Sequence, residues 1–142
     1  MVYRAIQEFD FAALNRLAPI SSRTNAAALG FFSRTGYSFL AHFGGAIHGF
    51  VLAQPVWQGD RTVVWIAEIL GDSPSIYGGL LAEVVKVAYQ TGMLEIYLPH
   101  PPQGADLNQA LREQGFTIGA LQLSVRFLEA RGAKGETEGL LE

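Results

Sequence analysis

The 142-residue chain contains no cysteine. That absence excludes disulfides, iron–sulfur ligation, thiolate zinc sites and a cysteine nucleophile, and it fits a cytoplasmic protein. Charge is also scarce, at 16% of residues, and it carries no basic surplus: ten Lys and Arg face thirteen Asp and Glu, for a formal net charge of −3. A protein that grips a phosphate backbone electrostatically needs the opposite balance, so no nucleic-acid partner is expected. The opening Met-Val-Tyr-Arg-Ala-Ile-Gln-Glu lacks an apolar run long enough for a signal peptide. One uncharged stretch, Gly36 to Gly59, has the length of a membrane helix. Its content argues otherwise, because Gly44-Gly45 divides it into two apolar runs and glycine reaches positive φ without strain. The stretch therefore predicts a buried hairpin and no membrane partner.

What is present is apolar. Hydrophobic residues make up 49% of the chain, and at this length about two thirds of the unfolded surface is buried on folding. A single domain over residues 1–130 is expected, followed by a glycine-rich, charged tail over 131–142. Val2–Gln7 predicts a strand, and Asp10 is expected to cap a helix over Phe11–Leu17. Pro19 ends that helix, Ser21 or Ser22 caps a second helix to about Ser33, and Gly36 closes it. Tyr37–Phe43 and Ala46–Trp57 form the hairpin, and Thr62–Leu70 a long strand. Ser73 as N-cap and Pro74 at the first helical position start a helix with Tyr77, Leu81, Val84, Val85 and Ala88 on one face. Leu94–Leu98 reads as a short strand, Asp106 as the cap of a helix to Gln114, and Leu121–Phe127 as an alternating last strand.

Strand, two helices, three antiparallel strands, helix, strand, helix, strand is an order that resembles the GNAT superfamily of acyl-CoA-dependent N-acyltransferases. Local strings agree with it: "VYRAIQEFDFAALNRL" with the opening strand and first helix, "HGFVLA" at His48–Ala53 with the third strand, "GLLAEVVKVAYQTGMLEIYL" with the long helix and fifth strand, and "LNQALREQGF" with the late helix. Together they span about residues 2–128. With "RTGYSFLA", "AQPVWQG" and "RGAKGETEG", the whole chain resembles a small bacterial family of single-domain acetyltransferase-like proteins. The resemblance implies an α/β (α+β) fold with a mixed, mostly antiparallel central sheet flanked by helices. It also implies acetyl-CoA as the acyl donor and a small-molecule or peptide amine as the acceptor, with no metal.

The cofactor loop departs from the family pattern R/Q-x-x-G-x-G/A. Asp72 stands at the basic or amide position, and Ser75 and Tyr77 stand where small residues belong. Pro74 has no N–H to give. The diphosphate site implied by the resemblance comprises Ile69, Leu70, Gly71, Ser73, Ser75, Gly78 and Gly79. Residues 72–142, which should hold a polyanion, carry a net charge of −4 against +1 for residues 1–71.

The late-helix tyrosine that the family often uses as a general acid is Leu111 here. Glu68 is the candidate base on the fourth strand, and strict alternation places it with Val64, Ile66 and Leu70. On so apolar a face a carboxylate holds its proton more tightly, which suits a base working near neutral pH. His100, after the fifth strand, and Tyr97, on it, are the further candidates for proton transfer. In the family the second helix lines the acceptor site, so Phe31, Phe32 and Arg34 are the candidate substrate contacts. His42 and His48 sit on the two arms of the hairpin and point to opposite faces if its turn has two residues. The expected function is acetyl transfer from acetyl-CoA to an amine. The alternative is a non-catalytic module of the same fold that has lost CoA, either binding another ligand or acting as a homodimer through the last strand.

Overall fold

The computed structural model describes residues 1–17, 26–99 and 104–117. Pro19, Ser21, Ser22, His100 and the last strand expected at Leu121–Phe127 lie outside the described residues, as does the tail.

Among the described residues, five strands make one sheet in sequential order: β1 (Val2–Ala5), β2 (Phe39–Phe43), β3 (Ala46–Trp57), β4 (Thr62–Gly71) and β5 (Ile96–Tyr97). The first three pairings are antiparallel, and β4 with β5 is parallel. A parallel pair needs a crossover, which α3 (Pro74–Gln90) supplies. This is the mixed, mostly antiparallel α/β architecture expected. The hairpin turns on Gly44 and Gly45, with φ of 60° and 79°, and Phe43 pairs with Ala46. Among the described residues no helix is long and apolar enough to cross a membrane.

The sheet buries both faces. One carries Phe39, Ala41, Val51, Ala53, Val64 and Ile66 against the α3 residues Ile76, Leu80, Leu81 and Val84 and the α4 (Ala105–Glu113) residues Leu107, Ala110 and Leu111. The other carries Leu40, Phe50 and Leu52 against Leu14 of α1 (Phe11–Leu17) and Leu29 of α2 (Ala26–Ser33). Leu111, at the position of the family's tyrosine, is a core residue.

Three local expectations need correction. Asp10 does not cap α1. It closes a short turn before the helix, accepting from Gln7 N–H at 2.8 Å and from both terminal nitrogens of Arg4 at 2.8 Å. Asp106 lies inside the first turn of α4, whose N-cap is Gly104 at φ 85°. Leu94 is 90% exposed and outside β5, since the chain leaves α3 through Gly92 and joins β4 only from Glu95 onward. At the start of α3 the expectation holds: Ser73 is the N-cap, its hydroxyl accepts from Ile76 N–H, and Pro74 occupies the first position.

Candidate functional site

β4 has ten residues, yet β5 pairs with it only at Val64↔Ile96 and Trp65↔Tyr97. One further bond, from Val64 N–H to Glu95 O at 3.0 Å, starts the pair. Among the described residues, β4 from Ile66 to Gly71 has no β5 partner. Among the described residues the pairing thus ends at Trp65, and the backbone polar groups beyond it on that edge of β4 have no strand partner. Such groups need another partner, which a bound molecule can provide.

At the point of parting β4 also bulges. Ala53 pairs with Ile66 and Leu52 pairs with Glu68, so Ala67 is one residue too many. A bulge re-aims the side chains that follow it. Glu68 therefore does not share a face with Val64 and Ile66, as strict alternation predicted. It stands opposite Leu52, on the α1–α2 side, where Leu70 packs. The carboxylate is half-buried, and its Oε2 is withdrawn from solvent. Phe32 packs against the same cluster as Leu70, so the distal half of β4 and the end of α2 converge on one core. Phe31 meets Phe32 edge to face at 5.1 Å and is 46% exposed, and Arg34 is exposed one turn on.

Tyr97 forms the last pair before the strands separate, but its hydroxyl is engaged by residues that precede the strands. Its hydroxyl donates to Glu95 Oε2 at 2.6 Å and accepts from Arg61 Nη2 at 3.2 Å, while Arg61 Nε donates to Glu95. The guanidinium bond, followed by the Tyr97 hydroxyl, holds the Glu95 carboxyl below its ordinary value, and the same cluster raises Arg61. The Tyr97 ring stands edge-on to Trp65 at 6.3 Å.

The head of α3 follows directly on β4. It comes close because Gly49 and Gly71 pair across β3 and β4. A Cβ on Gly49 would stand 2.4 Å from Leu70 O and 2.8 Å from Ile76 Cγ2. Such a helix start attracts anions through its free N–H groups and dipole. Here the donors are reduced. Pro74 has none, Ile76 N–H goes to the Ser73 hydroxyl and Tyr77 N–H goes to Ser73 O at 3.1 Å. Ser75 N–H is the first-turn donor left without a partner inside the helix.

The three sides of this helix start differ. Tyr77 lies against Gly71, whose added Cβ would meet the ring at 3.2 Å. Gly78 has open space where a Cβ would be, whereas Gly79 is covered by the phenol of Tyr3. Asp72 Oδ2 lies 2.7 Å from His48 Nδ1. His48 is the extra residue of a bulge in β3, since Ala41 pairs with Gly49 and His42 with Ile47. His42 and His48 do not meet.

Sequence reasoning missed the bulge and the His48–Asp72 pair. The first leaves no compositional mark in an apolar strand. The second joins residues 24 positions apart that only the β3–β4 register brings together. Glu68, Ile69–Gly71, Ser73, Ser75 and Gly78 lie along one continuous path, from the bulge through the open edge to the helix head, and Tyr97 is turned away from it.

The chain matches the DUF1999 family model, described as a protein of unknown function, over residues 20–142. No curated protein matches it. The crystal structure of TTHA1254 from Thermus thermophilus is similar at 45% identity and TM-score 0.82, covering 92% of this chain and 100% of that one. The aminoglycoside N-acetyltransferase AAC(6')-Iy, in complex with a CoA-based bisubstrate analogue, is similar in fold at TM-score 0.66 and 18% identity, covering 92% and 97%. The ribosomal-protein-alanine N-acetyltransferase from Brucella melitensis matches at TM-score 0.66 and 12% identity, covering 89% and 100%. On this model match and this 45% identical relative, the chain belongs to the DUF1999 family, and its fold is that of the GNAT acetyltransferases.

Proposed function

We propose that this protein is a GNAT-type N-acyltransferase that moves an acetyl group from acetyl-CoA to a small-molecule or peptide amine. The observation that carries this reading is the parting of β4 from β5 immediately beside a bulge that presents Glu68. When bound, acetyl-CoA supplies an activated thioester carbonyl. Backbone N–H groups near Ile69–Gly71, on the open edge of β4, polarise the carbonyl oxygen. Glu68 accepts the proton of the acceptor ammonium, directly or through one water, so that the amine can attack; the C–N bond forms, the thioester C–S bond breaks, and the thiolate leaves with the proton that the attacking nitrogen gives up. Ser75 N–H and the open flank at Gly78 hold the diphosphate, with the Ser73 hydroxyl beside them. Phe31 and Arg34 meet the acceptor. CoA-complexed relatives of the same fold support the choice of donor.

Calorimetric titration with acetyl-CoA, followed by thiol release over a panel of amines, tests the reading. Saturable binding and amine-dependent thiol release are expected. No heat and no thermal shift at about millimolar acetyl-CoA would overturn it.

A second reading has its own support. The carboxylate of Asp72 and the capped, proline-led start of α3 remove much of what a diphosphate needs. On that reading the fold serves as a non-catalytic module, and the same titration gives no binding.

A further inference from the structure

A second concavity lies away from the β4–β5 slot, between α1 and the β2–β3 hairpin. It is an open groove of about 530 Å³, a size suited to small ligands. In a chain of net charge −3, it gathers Arg4 from β1, Arg16 from α1 and His42 from β2 around one carboxylate among the described residues, Asp10.

That carboxylate is turned inward. Asp10 is 4% exposed, and it is used up by the two-pronged bond from Arg4 and the bond from Gln7 N–H. Arg4 in turn spends three of its five N–H donors, on Asp10 twice and on Ala5 O. Two remain. Arg16 is exposed and has neither an ion pair nor a hydrogen bond among the described residues. What faces the opening is therefore cationic and has donors to spare. The remaining wall is apolar, with Leu17 on α1 and Ile47 on β3.

We propose that this groove binds a small organic anion. Its carboxylate or phosphate head lies among Arg16, His42 and the outer edge of Arg4, and its short apolar body lies against Leu17 and Ile47. The Arg4–Asp10 clamp fixes one donor in place before the ligand arrives, which lowers the ordering cost of binding. The site needs neither acetyl-CoA nor the slot, so it stands or falls independently of the proposed reaction.

The test is a titration of the full chain with hexanoate and with hexyl phosphate, followed through the backbone amide resonances of Ala13 and Ile47, with hexanol as the uncharged control. Saturation by at least one anion at about millimolar concentration is expected, with hexanol at least about 5-fold weaker. The tighter anion identifies the head group. Arg16→Ala, an exposed change, should weaken that anion about 5-fold or more, and His42→Gln should act in the same direction. Should His42→Gln fail to fold, Arg16→Ala alone decides. No saturation by either anion up to about 20 mM, equal binding of hexanol, or an unaltered Arg16→Ala titration would each overturn the proposal.

Discussion

Asp72 Oδ2 stands 2.7 Å from His48 Nδ1, which ties the carboxylate at the head of α3 to the bulge of β3. Asp72 is 55% exposed, so its field is only partly offset by the histidine and is screened by solvent. At such a surface a carboxylate near a diphosphate costs about 1 kcal/mol. Asp72→Asn should therefore tighten acetyl-CoA about 3- to 10-fold at low salt, with a smaller gain at high salt. His48→Ala should act in the opposite direction. Calorimetry at two salt concentrations measures both, and an Asp72→Asn protein with unaltered affinity would place the diphosphate elsewhere.

Glu68 and Tyr97 make contrasting predictions. Glu68→Gln should lower kcat about 100-fold or more while leaving acetyl-CoA affinity in place, because the amide cannot take up the ammonium proton. Tyr97→Phe should leave kcat close to that of the parent, since the hydroxyl donates to Glu95 and accepts from Arg61 at the beginnings of the strands. Steady-state thiol release with the two variants side by side separates a base on the bulge from an acid on β5. Equal losses would contradict the division.

The elements that the sequence made legible are those with local causes. Ser73 and Pro74 mark a helix start by capping chemistry, and the two-glycine turn marks the hairpin. The face of Glu68 was not legible, because alternation assumes one residue per step and Ala67 breaks that count. Only the opposing strand shows that it does. Asp10 misled for a similar reason: a carboxylate before a helix reads as a cap, but Arg4, six residues earlier, competes for it and wins with two bonds. Leu94 reads as strand by composition and is exposed by position. At the candidate site, the loop's departures from the family pattern were visible residue by residue, but the partner that holds Asp72 was not.

The Arg4–Asp10 pair should shape the acid limb of stability. Burial alone would raise the Asp10 carboxyl. The Arg4 bond, the Gln7 N–H and the charges of Arg4 and His42 prevail and hold it below its ordinary value. The hydrogen bond to Asp10 raises Arg4 in the same way. A depressed carboxyl means that the unfolded chain binds the proton first as pH falls. The pair's contribution is thus complete above about pH 4–5 and is lost as pH drops through the folded value. Asp10→Ala, which removes a buried acceptor from Arg4, itself 31% exposed, should cost about 2–3 kcal/mol near neutral pH. Asp10→Asn should cost about 1–3 kcal/mol and flatten the acid limb. Urea unfolding at pH 7 and pH 3 measures each. Parallel acid limbs for the parent and Asp10→Asn would show that another carboxyl governs it.

Two glycines that lack room for a Cβ should respond differently to alanine. At position 79 the intruding atoms are Cζ and the hydroxyl of Tyr3, both 2.0 Å away, the far end of a side chain that can swing outward. Moving it gives up the 3.4 Å bond to Ser75 O and some packing, at about 1–2 kcal/mol. Alanine returns about 1 kcal/mol of helix propensity in the interior of α3. Gly79→Ala should therefore lie within about 1 kcal/mol of neutral, and in a Tyr3→Ala background it should stabilise. At position 49 the nearest atoms include Leu70 O at 2.4 Å and Gly71 Cα at 3.0 Å, which are backbone and cannot retreat without separating β3 from β4. Gly49→Ala should cost about 3 kcal/mol or more. It should also displace the head of α3 and weaken any ligand bound there. Chemical denaturation of the single and double variants checks the order, and a Gly49→Ala protein as stable as Gly79→Ala would mean that β3 and β4 approach less closely at this end than the Gly49–Gly71 pairing requires.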